Sequence, residues 1–425
     1  MFAYTVARWV GVLMNSMTSD FLVIGGGVIG INLAIEAKRR FPDGQVILIE
    51  KEAHCGEHAS GRNSGVLHAG FYYSADSLKA RLTREGNRRL TDYCRERGLG
   101  INRCGKLVVA KNADELPVLD ELLARAQKNG VELHGITEAE AKEIEPRVRT
   151  HERALFSPST ASVDPTEVMA SFISNAKLLG IRILTDAAYL GAQNGVVNTT
   201  QGDISAGYVI NAAGLYADKI AKDYGFSEHF RILPFKGLYL YANDKAEPLR
   251  TNIYPVPDLR NPFLGVHHTV TLDGHTKIGP TAIPCFWREH YSGVQNFRFG
   301  EFLEVVSREA ELFLRNDFGF RKLAWSEMQK IYRPRLVELA ADLVDGVRTE
   351  CYTKWGAPGI RAQLLDTRTR KLEMDFRMEG DSRSFHILNA VSPAFTCAMS
   401  FSEYAFQQVE KLMDLPEKLG QKSIA

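Results

Sequence analysis

The apolar, β-branched run Asp20-Phe21-Leu22-Val23-Ile24 leads directly into Gly25-Gly26-Gly27-Val28-Ile29-Gly30, and a helical pattern follows from Ile31 to Arg40. A buried strand, a G-x-G-x-x-G turn and a helix in that order constrain this chain more than any other feature. Gly25 permits the tight turn, Gly27 lets backbone approach a pyrophosphate, and Gly30 allows close helix–strand packing. The helix that opens at Val28 and Ile29 then offers a phosphate its unpaired N–H groups and its positive dipole end. Val46 to Ile49 is a second buried strand, completing a βαβ unit. Glu50 ends that strand, twenty residues beyond Gly30. A carboxylate there accepts hydrogen bonds from ribose hydroxyls and repels a 2′-phosphate. The expectation is a dinucleotide site.

The next residues decide between NAD and FAD. An NAD protein would continue with regular βα units. This chain gives Ala59-Ser60-Gly61-Arg62-Asn63-Ser64-Gly65-Val66-Leu67-His68-Ala69-Gly70. The segment is small, polar and cationic, which suits a loop lying along pyrophosphate, ribityl chain and flavin ring. Ser60, Asn63 and Ser64 offer hydrogen bonds and Arg62 offers charge. The bland alternative is a surface Ser/Gly loop.

Farther along, helices are expected at Ser77–Gly98, 114–130, Thr137–Glu145 and Pro165–Gly180, and strands at Arg182–Thr185, Gly195–Thr200 and Gly207–Asn211. Residues 231–282 alternate β-like runs with Pro and Gly turns, which suggests an antiparallel sheet. Two helices follow at 298–315 and 325–341, then strands over 359–391 and a last helix over Ser392–Leu412. The fold class is therefore α/β with an α+β second part. A Rossmann-like FAD-binding domain is built from discontinuous segments (19–98, 150–228 and 355–425), and an antiparallel-sheet substrate domain from 99–149 and 229–354. Residues 1–18 form an N-terminal extension.

Lys+Arg is 52 and Asp+Glu is 51 in 425 residues, a balance that argues against a nucleic-acid partner. No apolar run of about twenty residues suggests a transmembrane helix. The six cysteines show no C-x-x-C pair and no zinc spacing, so no metal site is expected and they read as reduced cytoplasmic thiols. Met1–Ser16 is apolar with one charge, Arg8. It reads either as sequence ahead of a true start at Met17 or as an interfacial membrane anchor.

The glycine loop, Glu50-Lys51 and above all Ser60-Gly61-Arg62-Asn63-Ser64-Gly65 resemble the D-amino-acid oxidase-type FAD-dependent oxidoreductases. Within that family the chain is most similar to the branch that oxidises L-2-hydroxyglutarate. The stretches that carry this are His68–Tyr73, Cys104-Gly105-Lys106, Ile253–Asp258, Pro262–His267, Ile278-Gly279-Pro280, Gly359–Gln363 and Asn389–Ala394. The resemblance spans residues 20 to 412. It implies FAD, covalently held or not, and oxidation of L-2-hydroxyglutarate to 2-oxoglutarate. It also implies that the small-residue turn at Ala213-Gly214 lies by the adenosine and pyrophosphate. There are two departures. Lys236 stands where relatives often carry Arg, which loses a bidentate fork, and Met1–Ser16 lies outside the pattern.

Oxidising a 2-hydroxy acid passes a hydride from C2 to flavin N5. The hydroxyl proton needs a base, and each carboxylate needs cationic or hydrogen-bonding partners. Of eleven histidines, His267 is the candidate base and His68 a flavin- or substrate-positioning group. Arg361 is the candidate carboxylate partner, helped by Lys236 and Tyr254. Ser392 as N-cap, Pro393 in the first turn and Ala394 would aim a helix N-terminus at the flavin pyrimidine. Competing readings are a flavin oxidase of amines or amino acids and a non-catalytic FAD-binding protein. The electron acceptor is left open between quinone, electron-carrier protein and oxygen. The first two imply peripheral contact with an inner membrane by an otherwise cytoplasmic protein.

Overall fold

The computed structural model describes residues 17–259 and 263–413. The Met1–Ser16 extension, Pro262 and the chain beyond Met413 lie outside the described residues.

The first strand, Met17–Ile24, is flanked by two parallel neighbours, Val46–Ile49 and Gly202–Asn211. Arg182–Leu184 and Ser384–Asn389 extend the parallel set at its two ends. Such strands read as continuous apolar runs because both faces are covered. Phe21 and Val23 pack beneath the helices Val28–Arg40 and Ala398–Leu412, whereas Leu22 and Ile24 pack toward Ala187, Val197 and Ile220 on the other face. Residues from the start, middle and end of the chain thus share one sheet.

A second eight-stranded sheet runs in the order Tyr352–Trp355, Leu240–Ala242, Thr276–Gly279, His267–Val270, Asn252–Pro255, Lys106–Val109, Arg153–Ser157, His134–Thr137. Residues alternate across it. Leu107, Val109 and Ile253 enter one core cluster. Val108 enters another with Phe71 and Tyr72. A four-stranded antiparallel sheet joins the two halves through Phe230–Gly237 and Gly359–Asp366, which pair along their whole length.

Several boundaries move. Arg153–Ser157 pairs with Lys106–Val109, so the chain leaves the second sheet after Ser157, later than residue 149. Gly359–Asp366 belongs with Phe230–Gly237, so the return to the dinucleotide-binding sheet comes with Arg377–Gly380 and Ser384–Asn389, later than residue 355. Tyr189–Gln193 is a further edge strand whose mixed polarity conceals it. The expected helix at 325–341 is two, Phe320–Gln329 and Arg333–Ala341, because Pro334 starts a new first turn.

The final helix is Ala398–Leu412 with Cys397 at its N-cap. Residues 392–397 form turns, in which Ala394 N–H donates to Val391 O and Cys397 N–H to Pro393 O. Ser392 is therefore not the N-cap, and Pro393 and Ala394 precede the helix. The segment folds back to fill the space beside Gly86, where an added Cβ would lie 2.4 Å from Cys397 Cα.

One ion pair fastens the joint between the halves. Asp218 and Arg288 are both fully buried and meet through two hydrogen bonds of 2.6 and 2.9 Å. Asp218 also accepts from Ile232 N–H at 3.1 Å. Removing one partner leaves an uncompensated buried charge, which costs about 3–5 kcal/mol. Arg288→Met should lower unfolding free energy by that amount in urea titrations, and a loss under about 1 kcal/mol would contradict this role.

Candidate active site

The glycine turn is built for close approach. Gly25 has φ +109°, and a Cβ on it would lie 2.6 Å from Ala212 O. A Cβ on Gly30 would lie 1.9 Å from Gly25 O, so the helix touches the turn only because that methyl is absent. Gly27 is the helix N-cap and has no side chain to cap it. Ser60 supplies the cap instead: its Oγ accepts the Val28 N–H at 2.9 Å, which leaves the hydroxyl proton free to donate. The N–H groups of Ile29 and Gly30, in the first turn, have no intrahelical partner. An anion fits there, and the donor set suits a pyrophosphate.

Glu50 is buried and holds the turn as well as facing it. Its Oε2 accepts Gly26 N–H at 2.7 Å and its Oε1 accepts Glu52 N–H at 2.9 Å. Each oxygen keeps a lone pair for a ribose hydroxyl. Lys51 is paired with Glu52 and with Glu289, the latter at 2.7 Å. Glu52, His58 and Glu289 bring potential ligand atoms within 4.8 Å of one another, but Lys51 already lies among these carboxylates. Cys55 packs against Gly26, and burial pushes its thiol up to about 12, so it is inert.

The loop from Ser60 to Gly65 is fixed by its own side chains. Asn63 Oδ1 accepts Gly65 N–H at 2.8 Å and its Nδ2 donates to Ser60 O at 2.7 Å; Ser64 Oγ accepts Val66 N–H at 3.3 Å. The Arg62 guanidinium lies 4.5 Å over the Tyr291 ring and donates to Pro358 O at 3.5 Å. Asn63 and Arg62 thus shape the loop and tie it to the joining sheet. Ala213 N–H donates to Asn211 Oδ1 at 3.1 Å, which sets the second small-residue turn, and Gly214 follows in the left-handed region (φ +53°). The last turn before the final helix reaches this loop. Thr396 Oγ1 accepts His68 N–H at 3.1 Å and donates to Val66 O at 3.2 Å.

The second sheet brings its chemistry to this loop. Tyr254 and His267 are cross-strand neighbours on adjacent strands, with ring centroids 3.7 Å apart and planes 15° from parallel. Lys106, on the next strand over, shares that face. Its Nζ sits 4.6, 4.5 and 4.8 Å from the ring centroids of Phe71, Tyr72 and Tyr254. His267 Nδ1 lies 2.8 Å from the Gly265 carbonyl oxygen, which can only accept. Nδ1 therefore carries the proton, and Nε2 presents a lone pair. Burial first, then the neighbouring His68, Lys106 and Arg361, hold His267 well below its usual range, so it is a neutral base. Burial and the same two cations lower His68 to about 3. Its Nδ1 is buried without a partner, as are Lys106 Nζ and the Tyr72 and Tyr254 hydroxyls.

Arg361 sits opposite Phe235 in the joining sheet, with its guanidinium 5.5 Å over Phe263. Among the described residues no carboxylate lies within ion-pair distance of it. Lys236 pairs with Ile360, one position along, so its side chain projects from the opposite face of the sheet. There burial lowers its ammonium, next to Cys285, and it adds to the charge near His290. The structure therefore groups His68, His267, Tyr254 and Arg361 but sends Lys236 elsewhere. Sequence gives Lys106 no role beyond its place in the Cys104-Gly105-Lys106 stretch, and Thr396 none. An isolated lysine and threonine carry no spacing signal; only the register of a non-local sheet and the return of the chain's end place them.

A glycine turn whose free N–H groups suit a pyrophosphate, together with a sheet that carries a neutral histidine and unpaired cations, fits a dinucleotide-dependent oxidoreductase. Comparison with known proteins narrows that class. Residues 20–405 match the family model described as FAD dependent oxidoreductase. The chain belongs to this D-amino-acid oxidase-type family, and FAD is its cofactor. It is 35% identical over 396 residues to L-2-hydroxyglutarate dehydrogenase of Indibacter alkaliphilus, covering 90% of this chain and 97% of that one. The Escherichia coli K12 protein of the same name is 34% identical (93% and 94% covered), and the human mitochondrial one 33% (94% and 90%). Among solved structures, L-α-glycerophosphate oxidase of Mycoplasma pneumoniae with FAD bound superposes with TM-score 0.73 at 22% identity, covering 92% of this chain and 95% of that one. Glycine oxidase of Geobacillus kaustophilus gives 0.69 at 19% (95% and 96%). These two show the shared fold.

Two outcomes follow. Gly30→Ala should abolish FAD retention while leaving the second sheet folded, read as loss of flavin absorbance from soluble protein. Full flavin content would contradict the close-contact argument. Four buried histidines are held neutral: His68 at about 3, His268 and His386 at about 4, and His267 well below its usual range. Below about pH 6.5 the unfolded chain binds protons that the folded chain refuses, so stability falls as pH falls. Each contributes up to about 1.4 kcal/mol per pH unit. The urea midpoint should drop steeply between pH 6.5 and 5, and His386→Phe should flatten that slope; pH-independent stability across this window would contradict it.

Proposed function

We propose that this protein oxidises L-2-hydroxyglutarate, a 2-hydroxy dicarboxylate, to 2-oxoglutarate. The observation that carries this is electrostatic. Lys106 and Arg361 both act on His267 and His68, and among the described residues neither has a carboxylate partner. A dicarboxylate supplies the two missing anions; a neutral amine or a simple amino acid supplies at most one. The identity with L-2-hydroxyglutarate dehydrogenases over nearly the whole length supports the same substrate.

Ser60, the first-turn N–H groups at Ile29 and Gly30, Glu50 and the turn at Ala213-Gly214 would hold FAD, which supplies a two-electron hydride acceptor when bound. The chain's own residues do the rest. Arg361 holds the carboxylate next to the reacting carbon. His267 Nε2 accepts the hydroxyl proton as the C2 hydrogen departs with its electron pair, and the Gly265 carbonyl keeps the ring in the required tautomer. Burial is the main cause of the depressed His267, and substrate anions beside Lys106 and Arg361 offset the part that those cations add, which strengthens the base. Tyr254, stacked on the imidazole, fixes its plane. His68 lines the site through its unpaired Nδ1.

Purified, FAD-loaded protein should bleach anaerobically with L-2-hydroxyglutarate, and not with sarcosine, D-amino acids or glycerol-3-phosphate. Bleaching by an amine instead would favour the amine-oxidase reading. His267→Gln should slow flavin reduction by about 10²–10⁴-fold. Arg361→Ala should raise KM at least about tenfold, the scale of one charged contact, and a change under twofold would remove Arg361 from the site.

The electron acceptor, we propose, is met at a membrane surface. No helix among the described residues is long and apolar enough to cross a membrane. The segment from Val294 to Tyr332 nevertheless exposes Phe299 (66%), Leu314 (73%), Trp325 (71%) and Tyr332 (69%), beside the exposed cations Arg298, Arg315, Arg321 and Lys322. Aromatic rings among cations suit an anionic lipid interface. The protein should float with anionic phospholipid vesicles and Trp325→Ala with Phe299→Ala should release it; failure of the unaltered protein to float would contradict this reading.

A further inference from the structure

Lys106 is a costly side chain to bury. It is wholly buried, its ammonium has no hydrogen-bond partner, and three aromatic rings surround it. Methionine or leucine would fill the same volume without the desolvation cost. Two of the surrounding rings carry hydroxyls, Tyr72 and Tyr254, that are buried without partners as well. One ammonium and two phenol hydroxyls, which act on each other, therefore share this buried face, and no carboxylate acts on the ammonium. That donor set matches an anion with two oxygens, which accepts from a cation and from phenol hydroxyls together.

The position of this group within the site is fixed by the sheet. The strand holding Tyr254 lies between the strands of His267 and Lys106. His267 stacks on Tyr254 from one side, and Lys106 approaches the same ring from the other. Lys106 is thus set one aromatic ring away from the base, across the face on which the substrate's carbon chain would lie. Arg361 enters from a different sheet. A carboxylate attached to the reacting carbon must sit beside the base; the carboxylate at the other end of a five-carbon chain must sit farther off.

We propose that Lys106, with the Tyr72 and Tyr254 hydroxyls, seats the distal carboxylate of the substrate and so selects a dicarboxylate over a 2-hydroxy monocarboxylate of equal length. This rests on the oxidation reading above for which molecule arrives, but not for the chemistry of the seat. Burial draws the lone ammonium down to about 7, so the seat reaches full charge when an anion enters. A neutral tail gains nothing there and leaves three donors unpaired. Discrimination comes from that penalty as much as from attraction.

The test compares Lys106→Met with unaltered protein, both FAD-loaded, using L-2-hydroxyglutarate and L-2-hydroxypentanoate, which carries a methyl group in place of the distal carboxylate. Rates of anaerobic flavin reduction should give a dicarboxylate-to-monocarboxylate ratio that falls at least about 30-fold in the variant, the range of a charge-assisted contact. A ratio within threefold of the unaltered protein's, with both rates lowered together, would overturn the proposal and make Lys106 a general structural or positioning group. Flavin difference spectra with glutarate and pentanoate, which have no hydroxyl to oxidise, separate this from the substrate reading. Glutarate should bind more tightly than pentanoate to the unaltered protein and lose that advantage in the variant, whether or not L-2-hydroxyglutarate reduces the flavin. Equal binding of the two acids to unaltered protein would overturn the seat. Should Lys106→Met not accumulate, Tyr72→Phe removes one donor only, and a selective loss of glutarate affinity of about tenfold is expected, with no selective loss counting against it.

Discussion

The backbone contact between Gly30 and Gly25 underlies the rest of this structure. Because neither residue carries a side chain, the first helix starts against the end of the first strand, and its N–H groups converge on one point. Glu50 then reaches from the neighbouring strand to hold Gly26 by a buried hydrogen bond. Ser60 caps the helix from the following loop. The small-residue turn at Ala212 and Ala213 closes over the top, with Ala212 N–H donating to Ile24 O. Four segments distant in sequence thus meet at a cradle that contains backbone and small polar groups and almost no bulk.

The reactive face is arranged by the opposite principle. There the side chains are large, buried and incompletely satisfied. His267 is kept neutral, and Lys106 Nζ and two tyrosine hydroxyls are buried without hydrogen-bond partners. Each such group costs stability while it lacks a partner. The buried Asp218–Arg288 pair holds the joining sheet against the first helix after Gly202–Asn211, and the paired strands Phe230–Gly237 and Gly359–Asp366 bridge to the reactive face. These joints hold the unsatisfied groups in place for a ligand that pairs them.

The sequence made the first half of this legible and much of the second half not. Gly25 to Gly30, Glu50 and the Ser60–Gly65 loop announce a flavin nucleotide because local spacing alone determines their geometry. The family resemblance added the hydroxy-acid chemistry. What could not be read depends on register between distant strands. Nothing local says that Lys106 stands beside Tyr254, or that Lys236 faces away from Arg361, one residue out of step. Ser392-Pro393 resembles a helix start, yet five more residues are spent in turns so that Thr396 can bond to His68 and Val66. Likewise, the apolar strand Arg153–Ser157 gives no sign of which sheet it joins.

The central claim is that the face carrying His267 and Tyr254 is where the hydroxy acid meets the flavin. A crystal structure of the FAD-loaded protein soaked with 2-oxoglutarate tests it directly. The account predicts the keto oxygen within hydrogen-bond reach of His267 Nε2 and the adjoining carboxylate on Arg361. Product bound away from both side chains, with His267 turned from the flavin, would contradict it.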